Sequence, residues 1–433
     1  MSGFRLARFS ADVTIPLGHR CMGLLPTKSK EIVDPLQAHG FVLTGESGFD
    51  PVVLVAVDWC EIRNEAYDRW RSVIAKAIGT STERVLVSSL HQHDAPVSDI
   101  GAQNLLDRAG LTGELFDFAF HEECVQRVAE VAKNSLSESQ PVTHIGTGQA
   151  KVEKVASNRR VVLEDGRVSY GRGSSSGGNK FHAGAPDGLI DPYLKTLSFW
   201  NGDTELAALH SYATHPMSYY GRGGVTYDFV GMARERRRRD NQKVHQIYVS
   251  GCSGDVTAGK YNDGSQGSRE LLADRIYVAM KAASEATTKH ELKSADVRVA
   301  KLTLPYRQEA RFQADALLAK IHDEKQDVRQ RIHAAMSLSS RMRVVAGSPI
   351  DLPVVDLGAA QIVLFPGEAF VGYQLMAQEM KPDSFVLSIG YGECWPGYIP
   401  TKSNFDDKFE DTWLWVAPGC EEPIRDALKK TLG

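Results

Sequence analysis

The sequence has no run long and apolar enough to cross a bilayer. Its first twenty residues, interrupted by Arg5, Arg8 and His19, hold no secretory apolar core. Cysteine is scarce and scattered: Cys21, Cys60, Cys124, Cys252, Cys394 and Cys420 form no CxxC pair. That speaks against a disulfide framework, and the expectation is free thiols in a reducing compartment, the cytoplasm. There is no excess of positive charge either. Lys+Arg number 50 against 54 Asp+Glu, a formal net charge of −4, so no nucleic acid partner is suggested. The one basic run, residues 236–239, sits between Glu235 and Asp240 in a helical pattern and reads as a solvated helix face. No repeat or linker divides the 433 residues, and 42% hydrophobic with 24% charged residues is a globular composition.

What is present is a series of apolar strands that end in reactive side chains. Residues 85–90 are apolar and β-branched and lead into His91-Gln92-His93-Asp94-Ala95-Pro96. On an extended chain i and i+2 share a face, so His91 and His93 are expected to aim at one spot. Strands are expected at 4–16, 37–45, 52–58, 194–200, 205–212, 245–250, 295–304, 361–365 and 384–389, with short ones in 142–165. A turn at 45–48 joins the second and third. Helices are expected at 62–78, 113–136, 229–239, 268–286, 309–340, from about 369 to 380, and 421–432. Strand, helix, strand at 52–90 argues for a βαβ unit. The fold class is α/β, mixed sheets flanked by helices.

The strands at 205–212, 245–250 and 361–365 run into His215, Asp255 and Glu368, and that at 52–58 ends in Asp58. In open α/β sheets ligands sit outside the carboxyl ends of strands. Each residue also has a plain structural reading. His215 packs beside Pro216, His210 is a structural strand residue, Asp255 caps a turn and Glu368 caps a helix. Together, histidines and one carboxylate are the donor set of catalytic zinc, which makes hydroxide available near pH 7 and polarises a carbonyl. The Gly/Ser-rich 171–180 stretch is expected to be a loop, a rim or lid over a site.

Several segments, in order from about residue 8 to 420, resemble the neutral ceramidases, zinc amidases that split ceramide. His91-Gln92-His93-Asp94-Ala95-Pro96 is similar to their HTHSGP, Gly254-Asp255-Val256-Thr257 to GDVS, and Pro366-Gly367-Glu368 to PGE. Tyr212-Ala213-Thr214-His215-Pro216, Asn158-Arg159 and Gly397-Tyr398-Ile399-Pro400-Thr401 are similar to their second-histidine, NR and tyrosine segments. Asp12-Val13-Thr14-Ile15-Pro16 and Asp34-Pro35-Leu36 add to the likeness. The resemblance implies zinc held by His91, His215, Glu368 and Tyr398. It implies His93 as acid/base or hydrogen-bond donor, Arg159 at the oxyanion, and Asp255 and Thr257 shaping the pocket floor. Asp94 and Ala95 stand where the family has serine and glycine, and Trp395 where it often has tyrosine; Asp94 and Trp395 are expected to touch substrate. A carboxylate at 94 is also placed to orient His93.

Residues 1–433 are expected to form one catalytic domain without the family's C-terminal β-sandwich. The expected reaction is zinc-dependent hydrolysis of an amide in a small, soluble, polyhydroxylated compound, with no membrane insertion. Ester, lactone or glycosidic cleavage, elimination from a sugar-like substrate, and a non-catalytic binding protein are the alternatives. A metal-dependent phosphatase would want more carboxylates and a placed Ser or Thr nucleophile.

Overall fold

The computed structural model describes residues 3–46 and 48–433. Met1, Ser2 and Ser47, the last within the expected 45–48 turn, lie outside the described residues. Three mixed sheets carry the fold. The first orders Val85–Ser89, Val52–Val57, Gln37–Thr44, Arg5–Asp12 and Gln140–Pro141. The second orders His245–Ser250, Thr204–Tyr212, Tyr193–Asn201, His144–Lys151 and Thr288–Glu291. The third orders Asp296–Leu302, Ile350–Asp356, Ala360–Leu364 and Phe385–Ile389.

Each sheet is antiparallel except at one edge, where two strands run parallel. The parallel pairs are Val52–Val57 with Val85–Ser89, Thr204–Tyr212 with His245–Ser250, and Ala360–Leu364 with Phe385–Ile389. A helix crosses between the members of each pair: Asn64–Ile78, Asp228–Asp240 and Val371–Met380. Parallel neighbours cannot be joined by a tight turn, so a crossover helix is what this connectivity requires. The first of these units was legible from sequence; the other two repeat it without sequence similarity.

Leu54 and Leu86 of the first sheet, Leu197, Leu209 and Ile247 of the second, and Ile362 and Leu387 of the third share one apolar core. The helices cover the outer faces and close two further cores. Where the parallel strands end, the sheets are stitched together. Ser89 N–H donates to Tyr391 O at 2.9 Å, Gly390 N–H to Ser250 O at 2.8 Å, and Ser250 Oγ to Leu90 O at 2.8 Å. The carboxyl ends of three edge strands therefore meet at one place.

Two expectations need correction, and two elements are new. The long helix at 309–340 is a short turn at Ala310–Phe312 followed by two helices, Ala314–His322 and Val328–Val345. Asp323 and Asp327 break it: each accepts a backbone N–H two residues on, at 3.0 and 2.9 Å, which competes with helical bonding and caps the second helix. The helix expected at 113–136 starts only at Phe118, where Asp117 accepts Phe120 N–H at 2.9 Å. The helix Ile100–Arg108 and the strand Ile350–Asp356 were not anticipated. No helix among the described residues is long and apolar enough to cross a membrane.

Candidate metal centre

His91 follows the edge strand of the first sheet, His215 the parallel strand of the second, and Glu368 that of the third. The Nε2 atoms of His91 and His215 lie 3.2 and 2.9 Å from the same oxygen, Glu368 Oε2. Ligating atoms of His91, His93 and His215 lie within 4.8 Å of one another.

The alternation argument for His91 and His93 does not describe how they meet. The strand ends at Ser89, and His91 is in the left-handed region with φ 72°. That turn, not the pleat, brings the two rings to 5.4 Å between centroids.

The far side of each imidazole fixes its tautomer. His91 Nδ1 sits 3.0 Å from Cys60 O, and His215 Nδ1 2.6 Å from Ser253 O and 3.2 Å from Val256 O. Carbonyl oxygens only accept, so each Nδ1 carries the hydrogen and each neutral ring turns an Nε2 lone pair toward Glu368. Two lone pairs facing one carboxylate oxygen need positive charge between them. A proton can supply part of it: burial opposes a charge on His91, but Glu368, Glu61 and the Cys60 carbonyl together outweigh burial and raise its pKa. Burial and then Arg159 push His215 down to about 4. Burial would raise the Glu368 carboxyl, yet the two imidazoles hold it well below the usual range. One proton serves one ring; a divalent cation serves both and the carboxylate. The donor set, N, N and O with oriented second partners, fits zinc.

Glu368 and Tyr398 are register partners in a two-residue parallel ladder, which sets their side chains side by side. Arg159 Nη1 donates to Tyr398 Oη at 2.9 Å, and its buried Nε has no partner among the described residues. His93 lies edge-on to Tyr220, centroids 4.6 Å apart, and its buried Nδ1 is likewise without a partner among the described residues. Burial, then the neighbouring His91 and His215, hold His93 well below its usual pKa, so it is neutral.

A cavity of about 450 Å³ opens over the cluster. His91, His93, Arg159, Glu368 and Tyr398 are in its wall, as are Gly171, Gly173 and Ser174, Ser175 and Ser176 of the Gly/Ser loop. The loop is pinned there. Buried Arg172 donates to Asn158 O at 3.1 Å and Pro186 O at 2.9 Å, and Asn262 Nδ2 donates to Ser174 O at 2.7 Å. His215 is fully buried and reaches the cluster through Glu368.

Four other expected residues do not line the cavity. Asp94 turns its carboxylate to Gly221 N–H at 2.8 Å instead of toward His93. Asp255 is used up internally, accepting from Val371 N–H and Asn158 Nδ2, both at 2.8 Å. It ties the Arg159 segment to the helix that follows Glu368, a positioning task. Thr257 Oγ1 accepts from Gly259 N–H at 2.9 Å, and Trp395 packs its indole into the core. Asp58, the fifth strand-end acid, is paired with buried Arg234 at 2.7 and 2.8 Å.

Sequence reasoning passed over Glu61 and Tyr391, although both follow strand ends. Glu61 is fully buried, its Oε1 4.0 Å from His91 Nδ1, and it accepts from Arg63 at 2.8 Å and Trp413 Nε1 at 3.0 Å. Tyr391 stacks on His91. The signal for Tyr391 was Gly390-Tyr391-Gly392 directly after an apolar strand.

No family model matches the sequence, and no curated protein is similar to it. Solved structures are. The neutral ceramidase from Pseudomonas aeruginosa aligns with a TM-score of 0.73 at 15% identity, over 100% of this chain and 74% of that one. A ceramidase complexed with C2 aligns with a TM-score of 0.72 at 14% identity, over 100% and 75%. Identity this low speaks to architecture, and on that ground the chain is built on the neutral ceramidase fold.

Proposed function

We propose that this chain is a zinc-dependent hydrolase that cleaves an amide C–N bond in a small hydroxylated substrate. The carrying observation is that His91 Nε2 and His215 Nε2 converge on Glu368 Oε2, at 3.2 and 2.9 Å, with both Nδ1 atoms committed to backbone carbonyls. The name of the solved neighbours, ceramidases, supports amide cleavage.

His91, His215 and Glu368 would hold the ion, with the Tyr398 hydroxyl adjacent. Zinc so held supplies an activated water and polarises a carbonyl. Neutral His93 offers an imidazole to the cavity; it would take the proton that the attacking water gives up and pass it to the leaving amine. Arg159, with an Nε that has no partner among the described residues and its Nη1 on Tyr398, meets the charge that develops on the amide oxygen. The cavity of about 450 Å³ suits a small molecule, and its Gly/Ser rim offers hydroxyls and amides to a hydroxylated one.

Metal analysis should find about one zinc per chain in wild type and little in His91→Ala or Glu368→Ala. A panel of small amides, lactones and glycosides tests the bond. Chelation should abolish amide hydrolysis and zinc restore it. Turnover by metal-free protein sinks the mechanism, and turnover of lactones or glycosides alone replaces the amide.

A further inference from the structure

Among the described residues Asp411 is the one carboxylate in the cavity wall besides Glu368, and it takes no part in the cluster. Its Oδ1 accepts from Trp413 N–H at 2.8 Å and Thr412 Oγ1 at 3.5 Å. Its Oδ2 accepts no hydrogen bond among the described residues. The segment that bears it is fixed to the site on both sides. Tyr398 N–H donates to Trp413 O at 3.0 Å, and the Trp413 indole donates to Glu61 at 3.0 Å. Phe409 packs edge-on against the Tyr398 ring, centroids 5.7 Å apart.

Asp411 also borders a second cavity, lined by Arg311, Phe312 and Lys320. The electrostatics favour the first. Its carboxyl is raised by burial, and Arg159 and Glu368, both beside the cluster, are the charged groups that act on it. The same coupling is felt by Arg159.

A part-buried carboxylate with an open acceptor wants a donor. We propose that Asp411 reads a substrate hydroxyl, which donates to Oδ2 while the amide lies on the cluster. This rests on the hydrolase reading above and names what selects its substrate. An ammonium group is disfavoured, because Arg159 and a bound dication leave this wall net positive. A neutral polyol is not, and Ser174, Ser175 and Ser176 on the rim can pair with its remaining hydroxyls.

The test is binding, so that it does not depend on turnover. N-methyl-D-gluconamide and N-methylhexanamide share a six-carbon acyl chain and differ only in hydroxyls. Calorimetry on the zinc-loaded full chain should show the gluconamide bound at least about tenfold tighter by wild type, since a site built for a hydroxyl rejects its absence. Asp411→Ala should bring the two within about threefold, and D411N should fall between. Zinc content should match wild type in both variants, and melting temperature in D411N, which keeps the acceptor for Trp413 N–H. A preference that survives in both Asp411→Ala and D411N, or a wild type that binds the two amides equally or not at all, overturns the assignment. A preference that depends on Asp411 in a protein that hydrolyses neither amide keeps it and sinks the amidase reading instead.

Discussion

The phenol ring of Tyr391 lies flat on the imidazole of His91, centroids 4.1 Å apart and planes 15° apart. Both backbones are left-handed, with φ 56° and 72°, a conformation that costs a non-glycine residue about 1–3 kcal/mol. Neighbours hold the strain in place: His91 N–H donates to Trp59 O at 2.9 Å, and Tyr391 Oη lies 2.7 Å from Ser253 Oγ. Tyr391→Phe should keep the stack and cost roughly 1 kcal/mol through the lost hydroxyl bond. Tyr391→Ala should cost about 3–5 kcal/mol and weaken zinc binding at least about tenfold. Denaturant melts with zinc titration check both; equal zinc affinity in Tyr391→Ala means the stack does not orient His91.

Zinc should act as a folding ligand. The strand ends of three sheets each lend one donor, so a cation would bind the native chain and find no comparable site in the unfolded one. At free zinc about a hundredfold above its dissociation constant the chain should gain about 2.7 kcal/mol. Thermal melts across a zinc series would show this as a rising midpoint. Glu368→Gln should flatten the series, and a wild-type midpoint indifferent to zinc and to chelator speaks against the site.

Gly254 controls Glu368 from behind. A Cβ there would stand 2.1 Å from Glu368 O and 2.8 Å from Phe370 Cδ1. Gly254→Ala must therefore push the ladder that carries Glu368, though it removes no reactive group. Zinc affinity should fall by about tenfold or more, in line with what misplacing a ligand's support costs. Unchanged affinity would mean that the backbone at Glu368 gives way freely.

Glu393 sets a pH dependence of stability away from the cluster. It is buried, accepts from Asn64 N–H at 2.8 Å and Trp395 N–H at 3.1 Å, and burial pushes its pKa from 4.5 up to about 7, with Arg343 opposing. Between those values the folded chain keeps a proton that the unfolded chain has released. This group's contribution thus falls as pH rises through the window and is level above it, a span of roughly 3 kcal/mol. Glu393→Gln keeps the acceptor oxygen and removes the charge. Unfolding free energies of the two proteins should agree near pH 4.5 and diverge in favour of the variant by pH 8; parallel profiles would show that Glu393 is not protonated in the fold.

The strands that frame the cluster were legible because they are short apolar runs closed by Gly or Pro turns, as at 245–251 and 361–367. Periodicity marks such elements well. It does not report partners, so it could not show that Asp58 spends its charge on Arg234, or that Asp255 and Asp94 spend theirs on backbone amides. All three look alike in a sequence, an acid after a strand. Trp395 was placed near substrate by position alone, and only packing shows its ring facing inward. Conversely, Asp411 and Trp413 lie in a stretch with no strand or helix pattern to draw attention, and they reach the cavity through long-range backbone bonds. The 309–340 helix failed for a local reason, two aspartates that prefer their own turns to helical continuation.

Two parts of the cavity wall differ in origin. The cluster is assembled from three sheets, and no short exchange of sequence can move it. The rim comes from one contiguous stretch, 171–176, clasped by Arg172 and Asn262. A scaffold divided in this way can be retooled: swapping residues 173–176, with Arg172 and Asn262 kept, should change which molecules are admitted while the reactive centre stays where it is.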